Sequence, residues 1–285
     1  MELIAYNQLL KVNPEQGAAI THLTLSGENG QLRSIIEPND AFEFESSLLF
    51  PFPNRMENGK FQFEGKTFEF PLNDFGRPNA LHGMIHNLPF QCVKEGESKL
   101  VLSLNYEGDL SYYPFPFKLQ IDYELEKGRL NIDVRITNSG KESMPCGFGW
   151  HPYFNLGDDI DKAKLRLGNV VKAEVNELFI PTGKVTPYHS FDTLASFTDT
   201  NLDNCFIFEE EKKEYSVYLV YENKTVLDVW QDKNQRYVQV FIHPNKKAIA
   251  IESMTCGINA FNTGQGLKIL GPEEEWTFKL GLRYT

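Results

Sequence analysis
Apolar side chains recur at every second position through much of this chain. In Lys118–Glu126 they fall at Leu119, Ile121, Tyr123 and Leu125; after the Lys127-Gly128 turn they resume at Leu130, Ile132, Val134 and Ile136. A period of two on both sides of a turn glycine predicts a half-buried β-hairpin. Phe61-Gln62-Phe63, Glu64-Gly65 and Phe68-Glu69-Phe70 predict a second hairpin, and Tyr215–Tyr221, Asn223-Lys224 and Val226–Trp230 a third. Further strands are expected over Ile20–Leu25, Leu100–Tyr106, Arg236–Ile242, Ala248–Glu252 and Trp276–Tyr284. Stretches with helical spacing break at Gly, Pro or Asn within a few turns. Many strands joined by turns place the chain in the all-β class, as a sandwich or barrel. Two proline-bearing stretches, Leu48–Arg55 and Asp74–Pro89, are expected to be irregular loops, either functional or poorly ordered.

Composition narrows this picture. The 285 residues are read as one domain, 1–285, because large β-sandwiches use this length as a single unit. At 41% hydrophobic and 13% aromatic, with 22 phenylalanines spread along its length, the chain can fill a broad sheet-on-sheet core. A net charge of −11 argues against nucleic acid as a partner, since phosphate binding needs clustered Lys and Arg. Cys92, Cys146, Cys205 and Cys256 are well separated and form no CxxC pair, so free thiols in a reduced, cytoplasmic setting are expected. No basic region followed by an apolar run opens the chain, and no apolar run reaches bilayer length. Neither a secretory signal nor membrane association is expected. The acidic clusters Glu209–Glu211 and Glu273–Glu275 read as solvated turns.

Several residues stand out chemically. Pro145–Asn155 reads PCGFGWHPYFN and holds His151 between Trp150 and Tyr153-Phe154. A residue before proline is pushed into extended backbone, so His151 sits in a strand-like segment. It is either a packed strand-end histidine or a titratable ring in a fixed pose. Gly147 and Gly149 allow another backbone or a ligand to come close. Glu252 ends the apolar run Ala248-Ile249-Ala250-Ile251. It is either a carboxylate emerging into solvent or a buried one, whose raised pKa would suit a general base. Arg55 ends Phe52-Pro53-Asn54-Arg55 and can fork onto oxygens or make an ordinary salt bridge. Asp203, in Leu202–Phe206, can accept sugar hydroxyls or cap a turn. His82 and His86 share the second loop at a spacing that binds zinc on a helix; Gly83 and the nearby prolines argue against that helix, so no metal site is expected. No G-x-S-x-G elbow and no phosphate-cradling glycine loop occurs.

Taken together, these stretches resemble the aldose 1-epimerase family, the galactose mutarotases. PFPNR followed by ENGKFQFEGKTFEFPLN, then LHG, GWHPYFNL, LDNCF and IESMTCGINAFNTGQGL match in order, from about Thr21 to the C-terminus. The resemblance implies a large antiparallel β-sandwich with sugar bound in an open cleft across one sheet. It implies Glu252 as general base, His151 as general acid, and Arg55, His82 and Asp203 as substrate-binding residues, with no cofactor. The expected partner is a small sugar, and the protein a monomer or homodimer. Because the acid must start protonated, His151 is expected to sit near an acidic group. Trp150 and Tyr153 could line the cleft, with core packing the simpler role for each.

Departures from the family pattern bear on substrate. Ser253 and Gly257-Ile258 stand where prolines often follow the glutamate. After LHG the chain reads Met84-Ile85-His86-Asn87, whereas the hexose-6-phosphate branch looks like HGFAR, with an arginine near the phosphate. Arg77 is the only obvious nearby substitute, so an unphosphorylated aldohexose is favoured. The alternatives are a sugar-phosphate or acidic-sugar mutarotase, and a non-catalytic carbohydrate-binding protein. A glycosidase fits worse, since it needs two carboxyl groups and only Glu252 is a good candidate.

Overall fold
The computed structural model describes residues 1–38, 43–155, 163–197, 200–221, 224–244 and 247–285. The hairpins follow the period-two pattern. Phe117–Glu126 pairs with Arg129–Asn138, and the predicted apolar positions from Leu119 to Ile136 are all buried. Lys60–Phe63 pairs with Lys66–Glu69 through Glu64 and Gly65, both at positive φ, as a two-residue hairpin turn requires. Glu214–Val220 pairs with Val226–Asp232; Asn223 of that turn lies outside the described residues.

Among the described residues these strands assemble into two large antiparallel sheets. The first has nine strands, from Gln91–Glu95 at one edge through the central Arg129–Asn138 and Glu275–Tyr284 to Ala195–Ser196. The second has eight, in the order Pro181–Tyr188, Val170–Val175, Asp203–Phe208, Tyr237–Ile242, Ala248–Met254, Gly149–His151 and Ser47–Leu49; Tyr153–Asn155 also pairs with Ala248–Met254. A four-stranded sheet from Glu2–Ala5 to Leu32–Ile36 flanks them. The chain is an all-β antiparallel sandwich. One continuous apolar cluster joins Ile132, Val134, Leu280 and Leu282 of the first sheet to Val238, Val240, Ile249 and Ile251 of the second. Among the described residues the single α-helix is the short Ala260–Thr263, and no helix is long and apolar enough to cross a membrane.

Two expectations change. The stretches Leu48–Arg55 and Asp74–Pro89 are not simply irregular. Ser47–Leu49 is an edge strand of the second sheet, and Arg55–Glu57 pairs with Asn79–Leu81. Segments of three residues, separated by prolines, are too short to display a period. The close approach at Gly149 is to the protein itself: a Cβ there would stand 2.7 Å from Pro53 Cβ, and one at Gly147 would collide with Cys256 Sγ. The two glycines therefore seat the PFPN loop against the histidine strand.

Candidate active site
Strand register builds the site. Gly149 and Trp150 pair with Met254 and Ser253, and Tyr153 and Phe154 pair with Ala250 and Ile249, so one register runs past Pro152 on both sides. That register sets His151 opposite Glu252. Across the next ladder Glu252 faces Gln239. Gln239, Glu252 and His151 thus form one row on the sheet face turned away from the core. Two residues along, Asp203 pairs with Phe241, Phe241 with Ala250, and Ala250 with Tyr153. Alternation sends Ile249, Ile251 and Trp150 into the core, and leaves the methyl of Ala250 as the low point between Phe241 and Tyr153.

All five predicted residues meet in one cleft of about 140 Å³. Arg55, His82, His151, Asp203 and Glu252 line it, with Asn54, Tyr153, Gln239, Phe241 and Phe44 among its other walls. His151 Nε2 lies 3.4 Å from Glu252 Oε1. His82 stands on the far side of His151, their rings edge-on with centroids 5.0 Å apart. It is held by a reciprocal pair of bonds: its backbone N–H donates to Asn54 O at 2.9 Å, and its Nδ1 accepts the Asn54 backbone N–H at 3.2 Å. Nδ1 is therefore the acceptor, and the neutral ring carries its proton on Nε2. Next to it, Gly83 is a position where only glycine fits, because φ is +69° and a Cβ would collide with the Phe50 carbonyl.

Arg55 is fixed from two directions. Its Nε donates to Asp74 Oδ2 at 2.8 Å, and its guanidinium lies 4.8 Å from the Phe179 ring centroid. Arg77 stands behind it, sharing Asp74 at 3.3 Å and the Phe179 ring at 4.4 Å. Asn79 ties this cluster to the neighbouring hairpin tip, donating to Asp74 Oδ2 at 2.9 Å and to Leu178 O at 3.0 Å. Asp203 accepts from Gln239 Nε2 at 2.7 Å, while Gln239 Oε1 accepts from Asn54 Nδ2 at 3.2 Å. This chain of amides orients Asp203 toward the cleft.

Burial governs the charges. Glu252 is 2% exposed and His151 6%. Burial, reinforced by the Asp203 carboxylate, pushes the Glu252 carboxyl well above the usual carboxylate range, against the pull of Arg55. Burial pushes the His151 imidazole down to about 4. His82 falls well below its ordinary value through burial and the His151 and Arg55 charges. Asp203 is raised by burial. For Asp74 burial acts upward, yet the hydrogen bonds from Arg55 and Asn79 and the two arginine charges bring its carboxyl below its ordinary value. His151 sits beside an acid, as expected, while burial works against its protonated form. For both groups burial works in favour of the uncharged form. Among the described residues, Glu252 Oε2 and His151 Nδ1 are both buried without a hydrogen-bond partner, a costly arrangement that leaves atoms free for chemistry.

Sequence reading missed Gln239, Phe241, Asn54 and Phe44. Gln239 had a signal: it is the one polar residue between Val238 and Val240 in an otherwise apolar strand. Tyr153 lines the cleft, whereas Trp150 is wholly in the core. His86 lines a neighbouring cleft. Leu156, at the end of GWHPYFNL, lies outside the described residues.

With this geometry in hand, the chain can be set beside known proteins. It is 26% identical over 269 residues to the uncharacterized protein YihR of Escherichia coli K12, a match covering 89% of this chain and 83% of YihR. A galactose mutarotase-like protein from Clostridium acetobutylicum superposes with a TM-score of 0.86 at 19% identity, covering all of this chain and 98% of that one. An aldose epimerase homologue from C. elegans gives 0.86 at 17% identity over the same shares. These structural likenesses establish the fold. The family model for aldose 1-epimerase matches residues 4–283, and the chain belongs to the aldose 1-epimerase family.

Proposed function
We propose that this protein is a mutarotase of free aldohexoses, interconverting α and β anomers by acid–base ring opening and reclosure. The observation that carries the reading is the His151–Glu252 pair: two buried groups 3.4 Å apart, set opposite each other by strand register. Opening a cyclic hemiacetal needs one base and one acid at once. The base takes the proton from the anomeric hydroxyl, the C1–O5 bond breaks, and the acid delivers a proton to O5. The total proton count is unchanged, so a pair carrying one proton suffices.

In this reading Glu252 is the base and His151 the acid. The sugar's hydroxyls hydrogen-bond to Glu252 Oε2, and that bonding stabilises the carboxylate. The proton then passes to His151 across the existing contact, which arms the acid and the base in one transfer. Rotation about C1–C2 presents the other carbonyl face, and the two groups exchange roles on reclosure. Arg55, His82 through Nε2–H, and Asp203 hold ring hydroxyls. Asp74 already occupies Arg55 and Arg77, which supports a substrate without a phosphate.

The test is polarimetry on freshly dissolved α-glucose, α-galactose and their 6-phosphates, corrected for the spontaneous rate. Glu252→Gln and His151→Asn are each expected to lower kcat by about 10²–10⁴-fold, the usual worth of a general acid or base. Full activity in both variants refutes the mechanism. Binding of sugar without any acceleration by the wild type marks a non-catalytic binding protein, and preference for the 6-phosphates marks the sugar-phosphate branch.

A further inference from the structure
The hairpin tip between the strands Val170–Val175 and Pro181–Tyr188 carries an aromatic ring that the acid–base chemistry does not use. Phe179, on this tip, is half-buried and belongs to none of the apolar core clusters of the described residues. Its φ is +60°, a conformation a bulky side chain rarely adopts. The surrounding bonds enforce it. Asn176 Oδ1 accepts the N–H groups of Leu178 at 2.9 Å and Ile180 at 3.0 Å, and the Phe179 N–H donates to Asn176 O at 2.9 Å. Asn79, which also holds Asp74, donates to Leu178 O at 3.0 Å. The tip is thus pinned where its ring meets two cations: the ring centroid lies 4.8 Å from the guanidinium carbon of Arg55 and 4.4 Å from that of Arg77.

We propose that Phe179 is a positioning residue for sugar binding: its ring fixes the plane of the Arg55 guanidinium, and through it the direction of the donors offered to sugar hydroxyls. The proposal rests on the mutarotase reading for what the cleft binds. Arg55 Nε donates to Asp74 Oδ2 at 2.8 Å, while Nη1 stands 3.5 Å from Asn54 Oδ1, at the outer limit of hydrogen bonding. One good bond leaves a planar group free to swing about the line from Nε to Oδ2. Asp74 cannot add a second, because its other oxygen is shared with Arg77 at 3.3 Å. A ring set against the guanidinium removes that rotation. The attraction between cation and ring is strengthened by withdrawal from water, and the Arg55 side chain is 13% exposed. Phe179 is not among the residues lining the cleft, so it acts on the sugar through Arg55 and not by contact.

Polarimetry on the intact protein with α-glucose and α-galactose decides this, in Phe179→Leu, Phe179→Gly and Phe179→Tyr. Leucine removes the aromatic face, glycine removes the ring while accepting the positive φ without strain, and tyrosine keeps the ring. The leucine and glycine variants are each expected to raise KM about 5-fold or more with kcat within about twofold of wild type, and the tyrosine variant to restore the wild-type KM. In an Arg55→Ala background, Phe179→Leu is expected to leave the calorimetric dissociation constant of the sugar unmoved, because the ring then has nothing to orient. An unchanged KM in both the leucine and glycine variants, a tyrosine variant as impaired as leucine, or the same weakening with Arg55 removed refutes the assignment. If the wild type accelerates neither sugar, the mutarotase reading fails instead, and calorimetric dissociation constants across the same variants still decide the role of Phe179.

Discussion
The protonation state of the His151–Glu252 pair can be read from stability alone. A histidine whose ring is pushed down to about 4 when folded, against its ordinary 6.5, binds its proton later than the unfolded chain does as pH falls. Between those values the unfolded state holds more protons, so stability rises with pH across this window and is lost on acidification. The full effect, below pH 4, is ~3 kcal/mol. Most of it develops early: between pH 7 and pH 5 the linked loss is ~2 kcal/mol. His82 and His86 also titrate below their ordinary values, so the wild-type profile alone does not isolate His151. The difference between wild type and His151→Asn does. Urea unfolding of both proteins at pH 7 and pH 5 is expected to show the wild type losing ~2 kcal/mol more than the variant on acidification. An equal loss in both, or a smaller one in the wild type, would falsify the neutral-pair assignment; it would mean that the empty site already holds an imidazolium–carboxylate pair.

The same burial has the opposite consequence for Glu252. Its folded pKa is raised, so the unfolded chain releases that proton first and the native state loses stability as pH climbs above 4.5. Glu252→Gln is expected to lower turnover while leaving the melting temperature equal or higher, most visibly at alkaline pH; a drop of several degrees refutes this. The acid limb of kcat/KM is expected near pH 4 rather than 6.5, with loss of the shared proton setting the alkaline limb, as a pH–rate profile of the free enzyme will show. Asp74→Ala removes the carboxylate from Arg55 and Arg77 and is expected to cost about 3–5 kcal/mol in chemical denaturation, with a raised KM; an unchanged KM separates Arg55 from substrate binding. Gly83→Ala forces a side chain into the Phe50 carbonyl at positive φ, and expression with thermal unfolding is expected to show loss of well over 1 kcal/mol.

The β character of the chain was readable because long strands with one buried face show a clean period of two. Leu119 to Leu125 and Leu130 to Ile136 could hardly be read otherwise. The Ala248–Met254 strand reads as a nearly continuous apolar run because both its faces are covered, one by core and one by the site; Glu252 and Ser253 break it. The three-residue strands Ser47–Leu49, Arg55–Glu57 and Asn79–Leu81 left no trace, since pairing at that length is fixed by distant partners rather than by local pattern. The five expected residues were found through ordered motifs, and each lines the cleft. Gln239, Phe241 and Asn54 escaped because their role depends on which strand lies beside which. The downward push of burial on His151 escaped for a related reason: a neighbouring carboxyl favours an imidazolium less when that carboxyl is itself buried.

The unbroken register across Pro152 has a bearing on how this chain can change over time. Because His151 and Glu252 face each other through ladder geometry, a slip of one residue on either strand turns its catalytic side chain into the core and brings an Ile or Trp to the surface of the site. Insertions and deletions within these strands are therefore lethal to the chemistry, whereas Phe44 at the cleft wall and Phe179 behind Arg55 lie on separate segments free to vary in length and composition. New sugar preferences on this scaffold are expected to arise from those walls, with the ladder beneath them unchanged.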